Sequence, residues 1–274
     1  MPRKKILITV TAYPLPSRSY DELVCTAGID EQGNWVRIYP VPFKFLKGLR
    51  KENNMESYKY TWIEIDLKKR TDDFRPESYS PVKYDFSDVK VLNKIGTAKT
   101  WRERKEICLQ NIFTNMEELI SDSKEPKNKS LAVFKPTEIL DFIIKEVSRE
   151  WKDEWKEIRN QGDLFGNHQP EKMIRKIPYN FYYKFKDDRG KISSLMIEDW
   201  EIGALYWNCL RDSKSDEVET LKKVKQKFFD ELAFKKDLYL FLGTTKQWHQ
   251  RRASNPFVIV GVFYPPKSSQ LGLF

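Results

Sequence analysis

Two apolar runs near the C-terminus have the pattern of strands that are buried on both faces. They span residues 238–242, which are leucine and aromatic residues, and 257–264, which are rich in aromatic and β-branched residues. Gly243 closes the first run, and Pro265 and Pro266 end the second, because proline has no N–H to donate to a β-ladder. Residues 244–254 between the runs are polar and basic. A long loop between two core strands often carries binding residues.

Shorter apolar patterns predict a small barrel in the first 95 residues. On the predicted strand 35–39, Val36 and Ile38 are expected to face the core, which puts Trp35, Arg37 and Tyr39 on the other face. Four or five short strands with one small helix are typical of an OB or SH3-like barrel. The predicted strands are 4–13, 23–29, 35–39, 60–67 and 82–85, with a hairpin turn at 30–34 and a helical turn at 43–51.

The rest of the chain also combines short predicted strands with predicted helices, although no repeat is visible in the sequence. A helical period runs from Trp101 to about Ser121, and a strand is predicted at 131–136, whereas residues 139–147 fit a strand or a helix. A hairpin is predicted at 177–197 with its turn at 186–191, and two helices follow, one capped by Asp199 and one over 217–234. The predicted fold class is α+β, with two small OB-like β-barrels joined and covered by helices. The predicted divisions are an N-terminal barrel (1–95), a helical connector (96–170), a C-terminal barrel with a helical insert (171–266) and a flexible tail (267–274).

Composition narrows the classes of function. The 274 residues include 49 Lys+Arg and 40 Asp+Glu, a net charge of +9 that favours polyanionic partners. The 3 cysteines are far apart and only 2 histidines are present, so neither a disulfide framework nor a metal site is expected, and no cofactor is predicted. The apolar run near the N-terminus, residues 6–10, is too short for a signal peptide core, and no apolar run is long enough for a membrane span, so a cytoplasmic protein is expected.

Two surfaces combine aromatic and basic residues in the way that nucleic-acid binding requires. Aromatic rings stack on bases, and the cations neutralise phosphates. The alternative is that the aromatics belong to the core or the barrel rim and that the cations are ordinary surface charge. The candidates are Trp35, Arg37, Tyr39, Lys44 and Arg50 in the first half, and Lys246, Trp248, His249, Arg251 and Arg252 in the second.

The densest carboxylate cluster near apolar sequence is Glu198, Asp199 and Glu201. Paired acids can hold a metal for phosphodiester cleavage, which makes a metal-dependent nuclease one alternative function. The structural interpretation is stronger, because Asp199 or Glu198 is placed to cap a helix with Glu201 in its first turn. The sequence has no Gly-rich phosphate loop and no nucleophile–histidine pattern, so a non-catalytic protein is favoured.

The C-terminal residues Gln270, Leu271, Leu273 and Phe274 resemble the short peptide by which bacterial replication and repair proteins dock onto the DNA polymerase sliding clamp. The glutamine offers hydrogen bonds, the apolar end fills a pocket, and residues 267–269 serve as a tether. The alternative is that these apolar side chains pack on the protein's own core. Residues 161–165 make a second, partial match, with glycine at its second position.

Several segments together resemble the bacterial dual OB-containing domain family. They are residues 25–29, 35–40, 197–203, 241–245 and 259–266. The resemblance covers nearly the whole chain and implies two OB-type barrels, a nucleic-acid role and association with prokaryotic conflict or mobile-element systems. It supplies no catalytic residues. Some relatives have a cysteine-rich turn where this chain has residues 187–190, so any metal site there would be absent here.

The sequence therefore predicts a non-catalytic protein that binds single-stranded DNA or RNA. Its terminal peptide would link it to replication or to prokaryotic defence. A second alternative is a protein-binding adaptor in a defence system. The sequence leaves the choice between DNA and RNA, and the oligomeric state, open.

Overall fold

A computed structural model describes residues 3–16, 22–52, 58–151 and 175–267. The chain divides into two compact units, residues 1–94 with 144–180 and residues 95–143 with 181–274. Within the described ranges, no helix is long and apolar enough to cross a membrane. The strands are β1 (Arg3–Thr11), β2 (Leu15–Pro16), β3 (Glu22–Asp30), β4 (Trp35–Pro42), β5 (Thr61–Lys69), β6 (Ser78–Pro81), β7 (Lys90–Lys94), β8 (Ile112–Phe113), β9 (Leu131–Phe134), β10 (Glu138–Glu146), β11 (Tyr179–Lys186), β12 (Ile192–Met196), β13 (Tyr239–Thr244) and β14 (Phe257–Phe263). The helices are α1 (Phe43–Glu52), α2 (Ala98–Cys108), α3 (Met116–Asp122), α4 (Trp200–Asp212), α5 (Glu217–Lys225) and α6 (Lys246–Gln250), and a π-helix over Gln226–Ala233 continues α5.

The first barrel is a closed circuit of five strands in the order β1-β3-β4-β6-β5, with β5 pairing back onto β1. The pairs are antiparallel except for β4 and β6, which run parallel with Arg37 beside Ser78. Numbered within the barrel, the strands follow the order 1-2-3-5-4-1, which is the order of an OB fold. The predicted OB-like barrel in the first half is confirmed.

Apolar alternation on the strands fills the inside of this barrel. Ile6 on β1 lies opposite Ile63 on β5, and both side chains are buried. Gly28 on β3 pairs with Ile8, and a Cβ atom at Gly28 would lie 2.3 Å from the carbonyl oxygen of Leu7. Glycine at this position therefore allows β3 to approach β1 closely.

The second barrel is closed through two sheets, β10-β11-β12 and β14-β13-β9-β8. Beyond β12, Ile197 forms a parallel bridge with Ile259 of β14, and the N–H of Glu198 donates to the carbonyl oxygen of Ile259 at 2.7 Å. At the other end, β9 and β10 are consecutive and are separated only by residues 135–137. Together they act as one bent strand that belongs to both sheets.

The core of the second barrel is aromatic. Phe142 of β10 lies 5.8 Å from Phe181 and 5.7 Å from Tyr183, both on β11, measured between ring centroids. The Tyr183 hydroxyl donates to the carbonyl oxygen of Phe228 at 2.5 Å, which ties the π-helix to the sheet. Burial raises the pKa of Tyr183 far above its ordinary value, because an ionised phenol would be poorly solvated there.

The two barrels share one topology. In both, the third and fifth strands are the parallel neighbours, and a helical segment lies between the third and fourth strands. That segment is α1 in the first barrel and α4, α5 and the π-helix in the second. The loops between the fourth and fifth strands are therefore equivalent; we call them the 70–77 loop and the 245–256 loop.

Some local predictions were wrong or are now decided. The predicted helix over 101–121 is split into α2 and α3, because the chain between them forms the short strand β8. Residues 82–85 are not a strand, and the fifth strand of the first barrel is β6 instead. Residues 139–147, which fitted either structure, form β10 almost entirely. The predicted divisions at 95, 170 and 266 stay predictions.

Candidate nucleic-acid interface

OB folds bind oligonucleotides on the face of their second and third strands and with the loops beside it, including the loop between the fourth and fifth strands. In this chain that rule selects β3, β4 and the 70–77 loop of the first barrel and β11, β12 and the 245–256 loop of the second. The sequence pattern singled out the 245–256 loop. The 70–77 loop lies between the predicted strands 60–67 and 82–85, and none of its residues was among the predicted site residues.

The 245–256 loop is folded rather than open. Its helix α6 begins after Thr245, whose side-chain oxygen accepts a hydrogen bond from the N–H of Trp248 at 3.3 Å. The helix is followed by Arg252 in the left-handed region (φ 50°), where the N–H of Ala253 donates to the carbonyl oxygen of Trp248 at 3.1 Å. The loop ends at Asn255, whose side chain accepts from the N–H of Phe257 at 3.0 Å. These bonds hold the loop in a fixed shape.

The outer side of this loop presents one aromatic ring among cations. Trp248 is 50% exposed, and the guanidinium carbon of Arg251 lies 5.7 Å from the centre of its ring. Arg251 and Arg252 are exposed, and neither forms an ion pair with any residue that the structure describes. Lys246 is half-buried. We call Lys246, Trp248, Arg251 and Arg252 the Trp248 surface; it combines a stacking platform with the positive charge of two arginines that form no ion pair with a described residue.

His249 does not belong to that surface, which corrects the prediction that its ring stacks on a base. It is only 7% exposed. One ring nitrogen, Nε2, lies 2.5 Å from the carbonyl oxygen of Ser123, and the other, Nδ1, lies 3.0 Å from the hydroxyl of Thr244. The ring is therefore a buried hydrogen-bonding group of the second unit.

The first-half candidates divide in a similar way. Arg37 is 3% exposed, so the prediction that its side chain shares an open face with Trp35 and Tyr39 is wrong. The backbone N–H of Arg37 donates to the carbonyl oxygen of Glu77 at 2.8 Å, and the side-chain Nη1 donates to the hydroxyl of Ser78 at 3.4 Å. Burial lowers the pKa of Arg37, because the charged form loses hydration. Trp35 is half-buried.

Tyr39 is the exposed aromatic of β4, and the 70–77 loop covers part of it. Its ring is 38% exposed, with the guanidinium carbon of Arg70 at 5.3 Å. Arg70 is bound by Asp72 through two hydrogen bonds of 3.0 and 2.5 Å, and its Nη1 donates to the carbonyl oxygen of Tyr39 at 3.2 Å. Hydrogen bonding to Asp72 raises the pKa of Arg70 despite partial burial. The positive charge of this arginine is thus compensated within its own loop.

Helix α1 carries the remaining first-half candidates. Lys44 is exposed, as is Lys47, whose Nζ lies 4.8 Å from the centre of the Phe43 ring. Arg50 lies on α1, but its side chain is outside the described residues. This helix presents lysines without an exposed aromatic ring among its described side chains.

Sequence reasoning missed several residues of the first barrel. Lys4 and Lys69 place their Nζ atoms 5.1 and 5.0 Å from the centre of the Tyr79 ring, and Phe74 is 40% exposed at the tip of the 70–77 loop. Lys69 also donates to the carbonyl oxygens of Arg75 and Pro76. The available signal was the basic-aromatic composition of residues 68–80.

The acidic cluster has the structural role that the sequence favoured. Asp199 is fully buried at the N-cap of α4, where its Oδ1 accepts from the N–H of Glu201 at 3.1 Å. Burial raises the pKa of Glu198. Among the residues that the structure describes, no group of three His, Cys, Asp or Glu side chains is placed to hold a metal ion. Cys108 and Cys209 are buried, Cys25 is half-buried, and none of the three forms a disulfide.

The terminal peptide of Gln270, Leu271, Leu273 and Phe274 lies outside the described residues, as does the partial match at 161–165. The clamp-docking prediction stays a prediction.

Two family models match the chain. The model described as "Domain of unknown function (DUF8757)" matches residues 112–274, and the model described as "Domain of unknown function (DUF8758)" matches residues 2–110. No curated protein matches the chain.

Solved structures with a weak similarity to this chain include "Crystal structure of the tetrameric p202 HIN2" and "Structure of murine DNA binding protein bound with ds DNA". The first is 10% identical, covers 72% of this chain and 70% of its own, and has a TM-score of 0.28. The second is 7% identical, covers 98% of both chains, and has a TM-score of 0.31.

Proposed function

We propose that this chain, which belongs to the family described as "Domain of unknown function (DUF8757)", binds single-stranded nucleic acid without catalysing a reaction. The observation that carries the proposal is the Trp248 surface. It places a half-exposed indole beside two arginines that form no ion pair with any described residue, on the loop of an OB topology that commonly contacts oligonucleotides.

Each part of the surface has a separate task in this proposal. Stacking of a base on an aromatic ring contributes about 1–3 kcal/mol and tolerates any base. Arg251 and Arg252 neutralise phosphates on either side of the stacked base, which makes binding depend on salt concentration. A duplex hides its base faces inside the stack, so a surface built on one indole favours unpaired strands. The net charge of +9 assists association.

The test is fluorescence anisotropy with single-stranded DNA, single-stranded RNA and duplex DNA over a salt series. We expect salt-sensitive binding to the single strands, weaker binding to the duplex, and weaker, less salt-sensitive binding of single strands by the Arg251→Ala/Arg252→Ala variant. Equal affinity for duplex and single strands would contradict the stacking role, and no binding at low salt would remove the proposed function.

A matched control is available on the same unit. Trp101 packs on Phe263 at 5.3 Å, so α2 lies at the end of β14 farthest from the 245–256 loop, about 20 Å along the strand. Exposed Arg102 is on α2, and exposed Lys267 follows β14. The Arg102→Ala/Lys267→Ala variant removes the same charge as the arginine variant and is expected to bind nearly as well as the parent.

The link to replication or defence is a second, separate proposal that rests on the terminal peptide. The peptide's glutamine and apolar end suit a clamp pocket, and the preceding serines give it reach. We expect the full chain to bind a purified bacterial sliding clamp, and Leu273→Ala/Phe274→Ala to abolish that binding while Ser268→Ala/Ser269→Ala keeps it. If the full chain does not bind the clamp, the proposed link to replication or defence through the terminal peptide fails.

The two alternatives have their own tests in the same samples. Metal-dependent cleavage of the bound strands on addition of Mg²⁺ or Mn²⁺ would favour the nuclease. Clamp binding without nucleic-acid binding at low salt would favour the adaptor. The predicted cytoplasmic location is compatible with each of the three functions.

A further inference from the structure

The ring of His249 connects the Trp248 surface to a distant segment of the second unit. Its Nε2 contacts the carbonyl oxygen of Ser123, 126 residues away in the chain, at the C-cap of α3. Ser123 is itself fixed, since its N–H donates to the carbonyl oxygens of Leu119 and Ile120 and its hydroxyl donates to that of Ile120 at 2.7 Å. The acceptor is therefore part of a rigid helix end.

The chemistry of the two contacts assigns the protons on the ring. A carbonyl oxygen has no hydrogen, so Nε2 must carry the proton and donate it to Ser123. In the neutral imidazole, Nδ1 is then the acceptor and the Thr244 hydroxyl is the donor. Thr244 is the last residue of β13, so the same ring joins a barrel strand, the loop helix α6 and the end of α3.

We propose that His249 is the positioning residue of the Trp248 surface. Trp248 and His249 are consecutive on α6, and one side chain is exposed while the other is buried. A one-turn helix of five residues has little stability of its own, so a buried tether at its end decides how it is oriented. The fixed ring of His249 holds Trp248 and Arg251 outward before any ligand arrives, and this preorganisation raises affinity. This inference rests on the proposed function for its effect on binding, but not for its effect on the loop.

Two substitutions separate the contacts of the ring. The amide of glutamine reaches the position of Nε2, so His249→Gln keeps a donor for the carbonyl oxygen of Ser123. The shorter amide of asparagine reaches only the position of Nδ1, so His249→Asn keeps a partner for Thr244 and loses Ser123. Both variants are polar and similar in size, and they are expected to have similar melting temperatures.

The first readout is hydrogen exchange of the loop amides in the absence of nucleic acid. The N–H groups of Arg251, Arg252 and Ala253 donate to Gln247, His249 and Trp248 within the loop, so their exchange reports its order. We expect His249→Asn to accelerate their exchange by about 10-fold or more, and His249→Gln to stay within about 3-fold of the parent. Equal protection in both variants would overturn the proposal, and so would equal loss.

The second readout is the affinity for single-stranded DNA in the same variants. We expect His249→Asn to weaken binding by about 10-fold and His249→Gln to restore it to within about 3-fold of the parent. Faster amide exchange in His249→Asn with unchanged affinity for single-stranded DNA would show that the contact of His249 with Ser123 does not contribute to binding. If the parent binds no nucleic acid, the proposed function fails, while the exchange experiment still decides whether His249 positions the loop.

Discussion

Asp73 and Arg75 form a buried, two-bonded ion pair inside the 70–77 loop. The carboxylate oxygens accept from Nε and Nη2 of Arg75 at 2.9 and 2.7 Å. Burial alone would raise the pKa of Asp73, but hydrogen bonds and charge from Arg75, with a hydrogen bond from Ser78, outweigh it and hold that pKa well below its ordinary value. The equivalent 245–256 loop has no such pair for Arg251 or Arg252 among the described residues. One topology thus carries a neutralised loop in the first barrel and a cationic loop in the second.

Asp73→Asn is expected to lower the free energy of unfolding by about 3 kcal/mol at neutral pH, because it leaves the Arg75 guanidinium buried without its counter-charge. Chemical denaturation measures this change. Asp72→Asn is the control, since its ion pair with Arg70 involves a carboxylate that is largely exposed and should contribute about 1 kcal/mol or less.

The same pair predicts a pH dependence. The pKa of Asp73 is depressed in the folded protein, so the pair contributes its full stability above the unfolded pKa, about 4, and loses it as the pH falls below that value. The difference in unfolding free energy between the parent and Asp73→Asn should therefore shrink below about pH 4. A difference that is constant down to pH 3 would show that the carboxylate is not held ionised by Arg75.

Gly28→Ala is expected to destabilise the first barrel severely, by about 3 kcal/mol or more, because the new methyl group would overlap the Leu7 carbonyl. Thermal denaturation measures the loss. Gly96→Ala is the matched control, since a Cβ atom at Gly96 meets no atom within 4 Å and should change stability little. Similar melting temperatures for the two variants would mean that β3 can move away from β1.

Most strands could be predicted from the sequence, because their apolar alternation and bounding Gly and Pro residues are local signals. The runs at 238–242 and 257–264 became β13 and β14 within two residues at each end. The broken helix after Trp101 could not be predicted in this way. Ile112 fits the helical period, and only the pairing of Ile112 and Phe113 with β9 shows that they form a strand.

The candidate site could be predicted only in part, because local composition locates a loop but does not show which of its side chains are buried. Composition identified the 245–256 loop, and Trp248, Arg251 and Arg252 lie on its surface. Composition does not tell which polar residues are buried, since burial of Arg37 and His249 depends on partners far away in sequence, Ser78 and Ser123. An alternating pattern on β4 placed Arg37 outside the barrel, but it cannot show that the 70–77 loop then folds over that face.

Tyr239 is expected to ionise with a pKa of about 12, raised first by burial and then by the charge and hydrogen bond of Asp237. Its hydroxyl donates to the Asp237 carboxylate at 3.0 Å, and the Nζ atom of Lys135 lies 4.3 Å from the centre of its ring. The phenolate absorbance of the parent minus that of Tyr239→Phe isolates this titration. Because the folded pKa is raised, the stability it contributes is present below about pH 10 and is lost between about pH 10 and 12. A midpoint near 10 would mean that the ring is solvated.

The two components of the Trp248 surface should be separable by salt. Arg251→Ala/Arg252→Ala removes two phosphate contacts, so the slope of log affinity against log salt for single-stranded DNA should become shallower by about 1.4. Trp248→Ala removes a stacked base, so affinity should fall by about 1–3 kcal/mol at every salt concentration with the slope unchanged. Anisotropy titrations at four or more salt concentrations give both quantities. A slope that changes in Trp248→Ala would mean that the indole only supports Arg251, and an unchanged slope in the arginine variant would place the phosphate contacts elsewhere on the chain.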